Sequence, residues 1–198
     1  MEVFMVAPVK VNLKIYQSST FSEVFRWESY LKEYKTITNI SKTAPVVITS
    51  AGHGIPVGWR ARILNVAGMK EINSDDYVVV TDTSTDTVTI NSINATGYTA
   101  YTSGGVLEIN TPNSLTGYTA RMQIRSKVSS TDTLLECTTE NSMIVLDNAL
   151  KTITLTIPAA TTELLTFKTA VYSMELVNGS VVTPFIYGNI TLDTEITR

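Results

Sequence analysis

The sequence predicts an all-β protein: an antiparallel β-sandwich interrupted by a smaller β-module. Three observations carry that prediction. Threonine is abundant, at 31 of 198 residues, and a β-branched side chain is stiff at χ1 and sits well on a pleated surface. Apolar and polar residues alternate with period two over several runs. Turn-forming residues separate those runs, and they concentrate between about residues 37 and 109.

Each element follows from local chemistry. In Thr152-Ile153-Thr154-Leu155-Thr156-Ile157 the threonines take one face and the aliphatics the other, as a half-buried strand requires. Thr87-Val88-Thr89-Ile90, Val171-Tyr172-Ser173-Met174-Glu175-Leu176 and Ile190-Thr191-Leu192 alternate in the same way. Residues 118–125 set Ala120, Met122 and Ile124 against Arg121, Gln123 and Arg125. An Asn178-Gly179 pair between apolar runs predicts a hairpin. Gly52-His53-Gly54, Asn94-Ala95-Thr96-Gly97 and Gly104-Gly105 predict further turns. Pro158 to Leu165 predicts one or two helical turns with Pro158 at the first helical position. Residues 21–34 fit a strand, a short helix or both. The shift in composition predicts a discontinuous sandwich, 1–36 plus 110–198, with a module at 37–109 inserted where two chain ends lie close together.

Composition narrows the function. The chain is 43% hydrophobic and 17% charged, enough to bury a core. A net charge of −3 and scattered Lys and Arg give no basic footprint, so no direct nucleic-acid binding is expected. No apolar run reaches the length of a membrane span, and Glu2, Lys10 and Lys14 break up the N-terminal stretch, so the chain is expected to be soluble and unprocessed. The single cysteine, Cys137, fits a reducing cytosol and reads as a small core hydrophobe.

Two stretches carry a resemblance. Ala51-Gly52-His53-Gly54-Ile55-Pro56-Val57-Gly58, then Val66-Ala67-Gly68-Met69-Lys70-Glu71-Ile72-Asn73, Tyr77-Val78-Val79 and Gly97-Tyr98-Thr99-Ala100-Tyr101-Thr102-Ser103-Gly104-Gly105, form the first. They resemble a small β-barrel-like module of bacteriophage tail proteins, named by analogy to the first catalytic-cysteine half-domain of ubiquitin-activating enzyme. The likeness concerns fold and implies no ubiquitin chemistry. Residues 10–17, residues 115–125, Tyr172-Ser173-Met174-Glu175-Leu176, Gly188-Asn189-Ile190-Thr191-Leu192 and residues 195–198 form the second. They look like the Ig-like N-terminal sandwich of siphophage upper-baseplate proteins, which sits on the virion beside segments that hold receptor-binding proteins. The two resemblances imply an Ig-like antiparallel β-sandwich with an inserted small β-barrel-like module.

Individual residues give no catalytic constellation. His53 is the only histidine, and glycines on both sides favour a turn residue whose ring hydrogen-bonds locally over a metal ligand or general base. Asp75, Asp76, Asp82 and Asp86 lack calcium-loop spacing and read as turn caps, with a weak Ca²⁺ site as the alternative. Asp75 and Asp76 are adjacent and point to opposite faces of a strand, unlike a glycosidase pair. The sequons at Asn39, Asn94, Asn178 and Asn189 are chance matches in an Asn- and Thr-rich chain. Phe25, Trp27, Tyr30 and Tyr34, with Tyr98 and Tyr101, are candidates for partner or glycan contact, against a core and rim reading. Tyr172 stands where the tyrosine corner of Ig-like sandwiches stands, which implies a hydroxyl bonded to backbone a few residues upstream.

The expected function is a non-enzymatic virion component of a tailed bacteriophage in the tail, baseplate or collar, made in the host cytoplasm. It is expected to form homo-oligomers and to anchor neighbouring tail or fibre proteins, with strands 120–125 and 190–196 as exposed edges for pairing. No catalytic residue, cofactor or metal is assigned. The alternatives are a head decoration or neck protein, and a host-glycan-binding module using Trp27, Tyr30 or Tyr98.

Overall fold

Alternation becomes strand wherever one face of a run can be buried, and nearly the whole chain obeys that rule. The structure, a computed structural model, describes residues 7–195. The first strands are β1 (Val9–Lys10), β2 (Leu13–Tyr16) and β3 (Phe21–Phe25). Then come β4 (Glu28–Thr36), β5 (Asn39–Ile40), β6 (Val46–Thr49) and β7 (Arg60–Ala67). A 3-10 turn, Lys70–Ile72, precedes β8 (Val78–Val79), β9 (Asp82–Thr83), β10 (Thr87–Ile90) and β11 (Ser103–Pro112). The remainder is β12 (Thr119–Arg125), β13 (Leu135–Thr138), β14 (Ile144–Asp147), β15 (Thr152–Ile157), the short helix α1 (Ala159–Glu163), β16 (Thr169–Asn178) and β17 (Val181–Asp193). The protein is all-β, as its sequence predicts. Residues 21–34, left open by pattern, form two strands. Pro158 is the N-cap of α1 rather than its first helical residue.

The chain forms two compact units. One holds the described residues up to Arg26, with Ser114–Asn148 and Thr152 onward; the other holds Trp27–Asn113 with Ala149–Lys151. The boundaries expected at residues 37 and 109 therefore move outward. The physical reason is the β4–β11 ladder, which runs in register from Thr36 opposite Val106 to Lys32 opposite Asn110 and resumes, after a shift in register, with Glu28 opposite Pro112, joining residues 28–36 to the module. The Asn113 N–H donates to the Trp27 carbonyl at 3.0 Å, so the ends of the inserted segment lie side by side.

The discontinuous unit has two sheets, each burying one face, and is sandwich-like. One runs β1-β17-β16-β12-β13, with β2 also on β17; the other runs β14-β15-β3. The Asn178-Gly179 signal produces the expected hairpin, Asn178 opposite Val181, with Gly179 at φ +58°. Strands β1 and β2 both pair with β17 in parallel. Strands β12 and β17 each have neighbours on both sides, so residues 120–125 and 190–193 are interior and not the exposed edges expected. Residues 196–198, the end of both the expected edge and the second resemblance, lie outside the described residues.

The expected tyrosine corner is also corrected. Tyr172 donates 2.9 Å to the carbonyl of Val11, which is 161 residues away, not a few residues upstream. The parallel ladder is interrupted between β1 and β2, and Tyr172 reaches the carbonyl left there across its register partner Gly188. A Cβ at Gly188 would lie 1.9 Å from that same oxygen, so only glycine fits.

The other unit has sheets β5-β6-β10-β9 and β4-β11-β7-β8 around one core built on Trp59, Ile48, Ile63, Met69, Ile90 and Leu107. Its Gly-Met-x-x-Ile-Asn motif has a structural account at each named position. Gly68 sits at φ +79° with the Ala100 carbonyl 2.3 Å from where a Cβ would be. Met69 and Ile72 are buried. Asn73 clasps Val66 from both sides, accepting from its N–H at 2.8 Å and donating to its carbonyl at 3.0 Å.

Candidate functional site

His53 is a buried structural clasp. Its Nδ1 accepts from the Ile55 N–H at 2.9 Å, which leaves Nε2 as the donor to the carbonyls of Ser84 at 2.9 Å and Thr87 at 3.1 Å. The expected local bond is present, and the ring also ties its turn to one more than thirty residues on. A ring with both nitrogens occupied is not poised as a ligand or base.

The four aspartates do not converge. Asp75 pairs with Arg62 at 2.8 Å, the Asp86 carboxylate accepts from Gly52 N–H at 2.9 Å, and that of Asp82 accepts from Thr83 N–H at 2.9 Å. The Asp76 N–H donates to the Ser74 hydroxyl at 3.0 Å. Among the described residues, no three His, Cys, Asp or Glu side chains are grouped to hold a metal. Cys137 is fully buried, and desolvation followed by the nearby Glu136 charge pushes its thiol up to about 12. Among the described residues, no helix is long and apolar enough to cross a membrane.

The aromatic candidates separate. Phe25 packs edge-on against Phe185, with centroids 6.4 Å apart, inside the discontinuous unit. Tyr98 and Tyr101 are partly buried against the module core, and Tyr101 donates to the carbonyls of Ile37 at 3.1 Å and Gly104 at 3.0 Å. Tyr30 and Tyr34 remain exposed, at 78% and 58%, with Leu31 at 72% between them. All three lie on β4, the terminal strand of its sheet and nine residues long.

A charge cluster on the same sheet holds β4 in place. Tyr77 has Lys32, Arg60 and Arg62 around its ring at 5.0, 5.4 and 5.6 Å, and its hydroxyl is bonded to Lys32 Nζ. Glu108, nearly buried, receives Lys32 at 3.1 Å and Arg62 at 3.3 Å. Burial pushes the Glu108 carboxyl up, but Lys32 and Arg62 outweigh it and hold it below its ordinary value. Arg60 forks onto Glu28, which also accepts from Asn110 at 2.9 Å.

The concave feature that sequence reading missed is a groove of about 800 Å³ over the outward face of the six-stranded sheet. Cross-strand register aligns Lys10, Tyr187, Ser173, Gln123 and Glu136 in one row across five strands. Arg125, Val171 and Asn189 form the row on one side, and Arg121 and Glu175 lie on the other. Arg125 donates to Gln123 at 2.6 Å, and Gln123 donates to Glu136 at 2.8 Å. Arg121 directs both Nε and a terminal nitrogen at Oε2 of Glu175, each at 2.9 Å. Each strand shows its outward polar positions in sequence, but their assembly into rows depends on register between strands up to 177 residues apart.

Compared with known proteins, the chain matches no family model and no curated sequence.

Proposed function

We propose that this chain is a non-enzymatic structural component of a tailed-bacteriophage virion, in the tail, baseplate or collar, and that it holds neighbouring subunits through the β4 edge. The observation that carries the reading is β4 itself. It is a nine-residue terminal strand whose Tyr30, Leu31 and Tyr34 are exposed. A long terminal strand offers edge backbone groups to an incoming strand, here on either side of Leu31, whose N–H is held by the Ser29 hydroxyl and whose carbonyl accepts from Thr111; exposed aromatics supply the anchors that protein contacts favour. The Tyr77 cluster supports this, since it ties Lys32 of β4 to the adjacent strands and keeps the edge rigid. The motif resemblance to phage tail modules and upper-baseplate sandwiches points the same way.

The test is mass spectrometry and cryo-electron microscopy of purified particles from a phage that encodes the chain. The protein is expected in the particle at a symmetric position with β4 against a neighbour; its absence from particles refutes the proposal. Detection in the capsid or neck would support the head decoration or neck alternative instead. A Tyr30→Asp, Leu31→Asp double variant should leave the isolated protein's stability within about 0.5 kcal/mol, because both side chains face solvent. It should also abolish incorporation into particles.

A further inference from the structure

We propose that the groove on the outward face of the six-stranded sheet is a binding site for a short glycan. Outward side chains of an interior sheet usually act as independent solvated groups, but here they are coupled. The Arg125–Gln123–Glu136 chain fixes the orientation of a planar amide and a carboxylate, at 2.6 and 2.8 Å. The Arg121–Glu175 pair fixes a second carboxylate, and because both arginine nitrogens fall on Oε2, Oε1 receives neither. Fixed carboxylate, amide and guanidinium groups suit hydroxyl pairs on a sugar ring, since each hydroxyl both donates and accepts. The exposed Ser173 and Lys10 extend that polar array along the row, and the exposed Asn189 extends it into the adjoining one.

Tyr187 completes the site. It is 44% exposed, stands in the row between Lys10 and Ser173, and presents an aromatic surface against which a ring can pack. A volume of about 800 Å³ lies within the usual span of small-molecule sites, about 300–1,000 Å³. Protein ligands fit less well, because the lining lacks the large apolar anchors of a protein interface; its aliphatic members are two valines, Val128 and Val171. The lining carries Lys10, Arg121 and Arg125 against Glu136 and Glu175, three positive charges against two, so an acidic sugar is favoured over a neutral one. This site is separate from the β4 edge and does not depend on the virion reading: particle composition tests one and glycan binding the other.

The experiment uses the full chain against an immobilised panel of neutral, N-acetylated and acidic oligosaccharides. The strongest responder is then titrated by calorimetry. Binding is expected, with acidic members preferred. Tyr187→Ala should weaken it by about tenfold or more. Ser173→Phe, which fills the floor from an outward position, should abolish it, and both variants should melt like the parent. Tyr30→Ala should leave it unchanged. No response across the panel overturns the proposal. So does binding that Tyr187→Ala and Ser173→Phe leave intact but Tyr30→Ala or Tyr98→Ala removes. Protection of the groove by a phage protein, with no glycan response, overturns it in favour of a protein partner.

Discussion

Gly188 shows how one residue decides an assembly of three chain segments. It lies between Tyr172 and Val11, and its missing Cβ leaves room for the Val11 carbonyl that Tyr172 caps at 2.9 Å. Gly188→Ala puts a carbon 1.9 Å from that oxygen, and the backbone must move because no flexible side chain can yield. The expected cost is about 3 kcal/mol in denaturant unfolding, with faster amide exchange at Val11, whose N–H donates to Tyr187 across the same gap. A Gly188→Ala protein as stable as the parent would show that the N-terminal segment does not need this approach. His53 makes a related point. Its flanking glycines announce a turn, and the ring's two distant carbonyl partners appear only in the fold.

At the scale of elements, the core face of the six-stranded sheet holds two groups that resist ionisation. Desolvation, then the Glu136 charge, raises Cys137 from 9.0 to about 12, and desolvation raises Tyr172 from 10.0 to about 12. The sign follows from which state loses its proton first. Below about pH 9 both groups are protonated in folded and unfolded chains alike, and stability is unaffected. Between 9.0 and about 12 the unfolded thiol ionises while the folded one does not, and the phenol follows from 10.0. The unfolded state then binds fewer protons, so stability falls as pH rises, by up to about 1.4 kcal/mol per pH unit for each group. The urea midpoint is expected to be level to about pH 9 and to drop beyond it, and Cys137→Ser should flatten the first part of the drop. At pH 8 Cys137 should resist a thiol reagent until urea unfolds the sheet; rapid labelling of the folded protein would contradict its burial.

Across the whole molecule, the two compact units make a prediction about excision. The inserted segment begins and ends at Trp27 and Asn113, whose backbones share a 3.0 Å hydrogen bond. Joining Arg26 to Ser114 through a few Gly and Ser residues closes a short gap at little entropic cost. The remaining chain is expected to keep a β-type circular dichroism spectrum, a cooperative melt and a protected Cys137. Loss of cooperativity would show that the discontinuous unit depends on the inserted one.

What the sequence determined by itself is what period and turn chemistry report. The strand at Thr152–Ile157, the hairpin after Asn178 and the glycine turns are local, because each depends on residues a few positions apart. The all-β class follows from their sum. Tertiary structure decided the rest, since each case joins residues far apart in the chain. Parallel pairing of β2 on β17 made 190–193 interior where an exposed edge was expected. The β4–β11 ladder moved the module boundary outward from residue 37. Tyr172 found its partner at Val11 because interruption of a parallel ladder left a carbonyl within reach. The polar row from Lys10 to Glu136 exists only because four strand registers agree, and no local pattern encodes register between strands so distant in sequence.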